Sequence, residues 1–428
     1  MNIGTLNPAE KKNFISFFLF FFFYYFIMSA YFPFFPVWLA DVNHLTKTET
    51  GIVFSCVAFF GILFQFLFGY ITDKLGLRKH LLWVIVAGLV CFAPFFLLVF
   101  KPLLAESIYL GGVVGGIYLG FVFSGGSGAV DAYIEKVSRA NNFEYGKVRT
   151  SGCIGWAVCA SLTGMLMGVN PDIIFWISSG FALILAVLLV ITRPEPESKE
   201  KIIEVTGKKG DISIPIALSL FKLPSFWAFL IYVLGVASIY DVFDQQFANF
   251  FKSFFADPQR GNQVFGFVTT GGELLNACIM FIAPFVVWKV GAKKVLLLAG
   301  TIMTIRILGS SIATTPVEVV LLKTLHMFEM PFLYIGTFKY INKVFDPRLS
   351  ATIYLVGFNV AKHVSAIFLS SYVGQMYDTM GFHKAYLFLG CITLSFTVLS
   401  FFLLKGTPPE ARTAKEETAT RDPQHSSP

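Results

Sequence analysis

The sequence predicts an all-α integral membrane protein of twelve transmembrane helices, arranged as two pseudo-symmetric six-helix bundles. Three observations lead there. Of 428 residues, 55% are hydrophobic and only 14% charged, where a soluble protein is typically about a quarter charged. Long uncharged runs recur, each reaching the roughly 20 residues that a helix needs to cross a bilayer. One extended charged segment, "RPEPESKEK" followed by "GKKGD", falls between the sixth and seventh runs. It marks a linker, 193–223, between a first half, 1–192, and a second, 224–404. The end of the chain, 405–428, reads as a polar disordered tail.

Taken in order, the first span, 14–40, follows Lys11 and Lys12 and holds only uncharged residues. It exceeds the ~7–15-residue core of a signal peptide and lacks a small-residue cleavage site, so it reads as a span. The others are expected at 51–72, 81–100, 107–131, 150–168, 173–192, 226–250, 264–287, 295–314, 317–340, 351–376 and 385–404. The loops between them alternate in charge. Lys74, Arg78 and Lys79 share one, Lys136, Arg139, Lys147 and Arg149 another, and Lys289, Lys293 and Lys294 a third. The intervening loops hold Lys47, Lys101, Lys384, and the pair Lys252 and Arg260. Basic loops stay cytoplasmic, which puts both termini and the linker on the cytoplasmic side of the membrane. The net charge of +7 has this topological origin and implies no nucleic-acid partner; the lipid bilayer is the expected surroundings, and a monomer the expected state.

Two internal patterns stand out. "LFGYITDKLGLRKHLL" follows the second span and "FVVWKVGAKKVLLL" the eighth, with Gly76 and Gly291 in matching places. Such an echo is what two related halves around one binding site produce. "GGVVGGIYLG" in the fourth span spaces glycines four apart, which suits close helix contact, static or moving. The six cysteines all lie in apolar spans and form no CxxC pair, so metal or dithiol chemistry has no support and no cofactor is expected.

Charged residues inside the spans carry the functional reading, because each costs at least ~2.5–3.5 kcal/mol at the bilayer centre unless paired or hydrated. The second half contains Asp241, Asp244, Glu273, Arg306, Lys323, His326, Glu329 and Lys362. Lys323, His326 and Glu329 recur every three residues, as do Asp241 with Asp244 and Glu273 with Asn276, so each set shares a helix face. Four acids stand against three permanent bases. One carboxyl is left without a fixed cation and is free to be neutral part of the time, since burial disfavours its charged form. A carboxyl that gains and loses a proton beside Arg306 is what proton coupling requires; a purely structural ion-pair network is the alternative. In the first half, Asp131 ends the glycine-rich span, and Arg149 lies two helical turns from Trp156. Forked guanidinium donors, carboxylate acceptors and an indole face together suit a sugar. Interfacial topology charges and a belt aromatic would look the same.

Five stretches, "FFFYYFIMSAYFPFFPVWLADVNHL", "EKVSRANNFEYGKVR", "YDVFDQQFANFF", "TTGGELLNA" and "LKTLHMFEMPF", resemble the bacterial lactose permease group, the oligosaccharide–proton symporters of the major facilitator superfamily. "DKLGLRK" is similar to the superfamily's cytoplasmic loop motif. The resemblance runs from first span to last, omitting linker and tail. It implies alternating access, with Arg149 and Asp131 as the sugar-binding charged pair and Trp156 stacking on a galactosyl ring. It implies Glu273, Asn276 and His326 as ligands of sugar hydroxyls, and Glu329 as the proton-carrying carboxyl beside Arg306 and His326. It implies the pairs Asp241–Lys362 and Asp244–Lys323. Departures are Asp131 where the lactose permease has Glu, Ser127 and Thr150 for alanine and methionine, and His363 where glutamine is common. Trp156 favours a galactoside over sucrose, and melibiose is the leading substrate, followed by lactose and raffinose. An uncoupled facilitator is the main rival. A membrane enzyme using the DxxD in "DVFDQQ" has only that one weak motif behind it, so no enzymatic activity is expected.

Overall fold

Helices account for nearly all of the residues that the computed structural model describes, 7–141, 143–192, 219–346 and 349–406. Most of the expected linker and tail lie outside these residues. Twelve spans follow in order. They are α1 (Pro8–Tyr31), extended by the short helix Phe35–Asp41, α2 (Lys47–Leu75) and α3, built from His80–Val90 and Phe92–Glu106. Then come α4 (Ile108–Ala140), α5 (Tyr145–Leu166), α6 (Ile173–Ile191) and α7 (Pro224–Gln245). The last are α8 (Pro258–Val290), α9 (Ala292–Ile312), α10 (Pro316–Val344), and a continuous stretch, Tyr354–Leu403, that Gly381 divides into α11 and α12. Nine described helices are long and apolar enough to cross a membrane, and α3 makes a tenth despite a 53° bend just before Pro94. The less apolar α5 and the divided last stretch complete the twelve.

Local sequence sets the ends. Asn7, Thr46 and Thr315 each precede a Glu three residues on, and all three form reciprocal capping boxes at the starts of α1, α2 and α10. Gly76 and Gly291, the matching glycines of the internal echo, end α2 and α8 with φ of 57° and 93°. Gly381 turns the chain between α11 and α12 with φ 79°. A side chain is strained at such angles, which explains glycine at all three. The glycines of α4 serve close packing inside the first half. A Cβ on Gly116 would lie 2.8 Å from the Cys56 backbone of α2, and one on Gly115 would lie 2.3 Å from the Phe100 ring of α3.

Buried apolar side chains form two clusters, one drawn from 14–189 and the other mainly from 220–404. Between the halves, α2 runs along α11 and α5 along α8. These contacts tighten at the end of the bundle away from the first and last helix ends. A Cβ on Gly51 would lie 2.3 Å from the Ser370 carbonyl oxygen, and one on Gly374 would lie 2.3 Å from that of Lys47. On the other side, a Cβ on Gly266 would lie 2.7 Å from the Ala160 carbonyl oxygen. Polar contacts reinforce the same end. Asp378 of α11 accepts from the backbone N–H groups of Lys47 and Thr48 at 3.2 and 2.8 Å, and Lys252 reaches both Asp41 oxygens at 2.5 and 2.7 Å. The halves are thus closed against each other at one end.

Candidate functional site

In the first half, α4 and α5 bring Asp131 and Arg149 together, with Arg149 Nε 3.3 Å from Asp131 Oδ1. Tyr145 donates to Oδ1 at 3.1 Å and Tyr25 to Oδ2 at 3.3 Å, so both carboxylate oxygens are held. The guanidinium lies over the Tyr25 ring at 4.0 Å. Stacked in this way, it keeps an edge of donors available. Trp156 lies two turns along α5, half-buried, with its ring 5.8 Å from that of Phe32. Its indole N–H is buried and has no hydrogen-bond partner among the described residues. The residue after it, Ala157, accepts at 2.7 Å from Thr270 of α8, so Trp156 sits where the halves meet.

One turn along α8 from Thr270 is Glu273, followed one turn later by half-buried Asn276. Cys153, one turn along α5 from Arg149, also lies near Glu273 of α8, so the two polar clusters approach each other here. Glu273 Oε1 is 4.0 Å from His326 Nε2. The other ring nitrogen, Nδ1, is 2.5 Å from the Tyr240 hydroxyl. That hydroxyl accepts from Arg306, and the same His326 nitrogen lies 3.5 Å from Glu329 Oε2.

Arg306 is fully buried and holds two acids, donating from Nη1 to Glu329 Oε2 at 3.1 Å and from Nη2 to Asp244 Oδ1 at 2.7 Å. Its plane rests on Phe247 at 4.4 Å. Glu329 is also fully buried, and its second oxygen, Oε1, has no hydrogen-bond partner among the described residues. Lys362 pairs with Asp241 at 2.8 Å, as the resemblance implies. The expected Asp244–Lys323 pair is corrected, because Asp244 takes Arg306. The Lys323 ammonium has no carboxylate within 4.0 Å among the described residues and lies between the rings of Phe265 and Phe247, at 5.1 and 5.6 Å. It still acts on Asp244 through space. The guanidinium donates to the two carboxylates from separate nitrogens held in one plane.

A protein-family model described as LacY proton/sugar symporter matches residues 6–417. The chain belongs to that family. It is 65% identical over 408 residues to a lactose permease of Klebsiella oxytoca, covering 95% of this chain and 98% of the relative. It is 54% identical to a melibiose permease of Enterobacter cloacae, covering 94% and 95%. The fold is shared more widely. A mutant form of the nucleoside transporter NupG matches with TM-score 0.76 at 16% identity, over 92% of this chain and 100% of that one. The chain is therefore a multi-pass membrane transporter of the proton/sugar symporter family, with the major facilitator fold.

Within this LacY-family framework, three tyrosines complete the site beyond the residues expected from sequence. Tyr25 and Tyr145 fix Asp131, and Tyr240 joins Arg306 to His326. Only Tyr240 had a usable signal, since it precedes Asp241 and stands one helical turn before Asp244.

Proposed function

We propose that the chain imports a galactoside together with a proton across the bacterial inner membrane by alternating access. The observation behind this reading is Glu329. It is a fully buried carboxyl with one oxygen on Arg306 and the other without a partner. A proton on Oε1 would remove the charge without breaking any contact, and Arg306 would stay paired through Asp244. His326 and Tyr240 form the polar neighbourhood through which the protonation state of Glu329 reaches Glu273. Arg149, Asp131, Trp156, Glu273, Asn276 and His326 bind the sugar in this scheme. The Asp241–Lys362 pair and Lys323 balance charge in the second half. In this scheme the basic loops face the cytoplasm, as the positive-inside rule expects, and the closed end faces the periplasm.

On residues alone melibiose leads. The 65% identity to a lactose permease, against 54% to a melibiose permease, moves lactose ahead. The test is uptake driven by a proton gradient in proteoliposomes, with lactose, melibiose, raffinose and sucrose side by side. Uphill lactose uptake that collapses with the gradient is expected. In Glu329→Gln, sugar binding and exchange should persist while accumulation disappears. Wild-type uptake that only equilibrates would make the protein a facilitator, and full accumulation by Glu329→Gln would remove Glu329 from the proton path.

A further inference from the structure

The outer face of the second half carries a feature that sugar transport does not use. A groove of about 510 Å³ opens between α9 and α12, lined by Thr301, Ile305, Leu308 and Ile312 on one side and Leu387 and Leu394 on the other. Its size falls within the roughly 300–1,000 Å³ of sites that hold small ligands. Ile305, Ile312, Leu387 and Leu394 are 45–77% exposed. Gly309 is part of the lining, and a Cβ there would lie 2.6 Å from a Leu322 methyl, so α10 packs closely on α9 at this point. From Thr301 to Ile312 the wall rises about 16 Å, roughly one leaflet of a ~30 Å hydrocarbon core.

The mouth is polar. His383 donates from Nδ1 to the Ser311 carbonyl at 3.1 Å, tying α12 to α9 there. Lys384 is exposed and makes no hydrogen bond, ion pair or ring contact among the described residues. Lys384, Leu387, Cys391 and Leu394 follow spacings of three, four and three, so the ammonium stands on the same helix face as the groove lining. An apolar trough one leaflet deep, with an unpaired cation at its interfacial end, matches one ligand class.

We propose that this groove binds one anionic glycerophospholipid, its acyl chain between α9 and α12 and its phosphate on Lys384. The surroundings argue for a lipid, because the groove faces the bilayer and lies away from both the sugar site and the contact between halves. The charge argues for an anionic headgroup over a zwitterionic one.

The test is native mass spectrometry of the full chain purified in detergent and equilibrated with equal amounts of phosphatidylglycerol and phosphatidylcholine. The wild type should retain one phosphatidylglycerol with a preference of about fivefold, the effect of one base near an anionic surface. Lys384→Gln should bring the two lipids to parity while leaving sugar binding unchanged. Leu394→Trp, which fills the groove, should lose both. Equal retention by the wild type, or a preference that survives Lys384→Gln, overturns the proposal. So does lipid occupancy unchanged in a Leu394→Trp protein that still binds sugar. A dimer that replaces bound lipid would give the groove to a second copy and overturn it as well.

Discussion

Adding one methyl group at each of two glycines should open the closed end of the transporter. In Gly51→Ala the new Cβ would sit 2.3 Å from the Ser370 carbonyl oxygen, and in Gly266→Ala 2.7 Å from that of Ala160. A carbon approaches a carbonyl oxygen to about 3.3 Å at best, so the backbones must separate by roughly 1 Å at the first site and half that at the second. Neither obstacle is a flexible side chain. Overpacking of this kind costs about 1–3 kcal/mol per site. The two sites lie on different helix pairs, α2 with α11 and α5 with α8, so their effects should add. Even a combined ~2 kcal/mol shifts the closed–open equilibrium about thirtyfold. The clash lies between halves and not within one, so it is relieved by their separation and leaves each half folded. Asn262 is 4% exposed and lies in the α5–α8 contact. With the six native cysteines replaced, Asn262→Cys should react with a charged maleimide at least tenfold faster in the double-alanine protein. An unchanged rate in a variant that still binds sugar would refute the argument that these glycines hold the end shut.

Two further outcomes follow from the buried charges. Arg306→Leu strips Glu329 and Asp244 of their shared cation and should cost about 3–5 kcal/mol, read as a lower Tm in detergent. Adding Glu329→Gln and Asp244→Asn should restore most of that loss; no recovery would mean that packing of the guanidinium on Phe247 dominates. Lys362→Ala should impair transport by stranding Asp241, and Asp241→Ala in the same chain should recover part of it. If the double variant is no better than the single, the pair has a role beyond charge balance.

Much of this was legible in the sequence because a charge inside an apolar span has few physical options. The count of four acids against three bases leaves one carboxyl without a fixed cation but does not say which; in the structure Arg306 takes both Asp244 and Glu329, and, among the described residues, Glu273 faces only His326. What spacing cannot supply is the rotation of one helix relative to another. Asp244 and Lys323 lie on α7 and α10, and nothing in either helix says that Arg306 of α9 comes between Asp244 and Glu329. The aromatic partners were hidden differently. Tyr25 is one ring in "FFLFFFFYYFIMSAYF", where composition gives no reason to prefer it. The capping boxes and the glycines at positive φ, by contrast, have local causes: an Asn or Thr three residues before a Glu, and a turn that glycine takes without strain. The π-helical turns in α3, α4, α7 and α11 left no mark in the sequence, since they depend on packing against neighbours.

The carboxylate of Asp378 has one more implication. The first turn of α2 has four backbone donors with no partner inside the helix. Thr46 and Glu49 satisfy two of them, and the other two, on Lys47 and Thr48, are satisfied by Asp378 from the opposite half. Half of this helix cap is therefore borrowed, and parting the halves hands two amides to water. Release of the closed end is in this sense a hydration step. Osmolytes that are excluded from protein surface should slow it, and the rate at which the transporter turns outward should track water activity as well as the proton gradient.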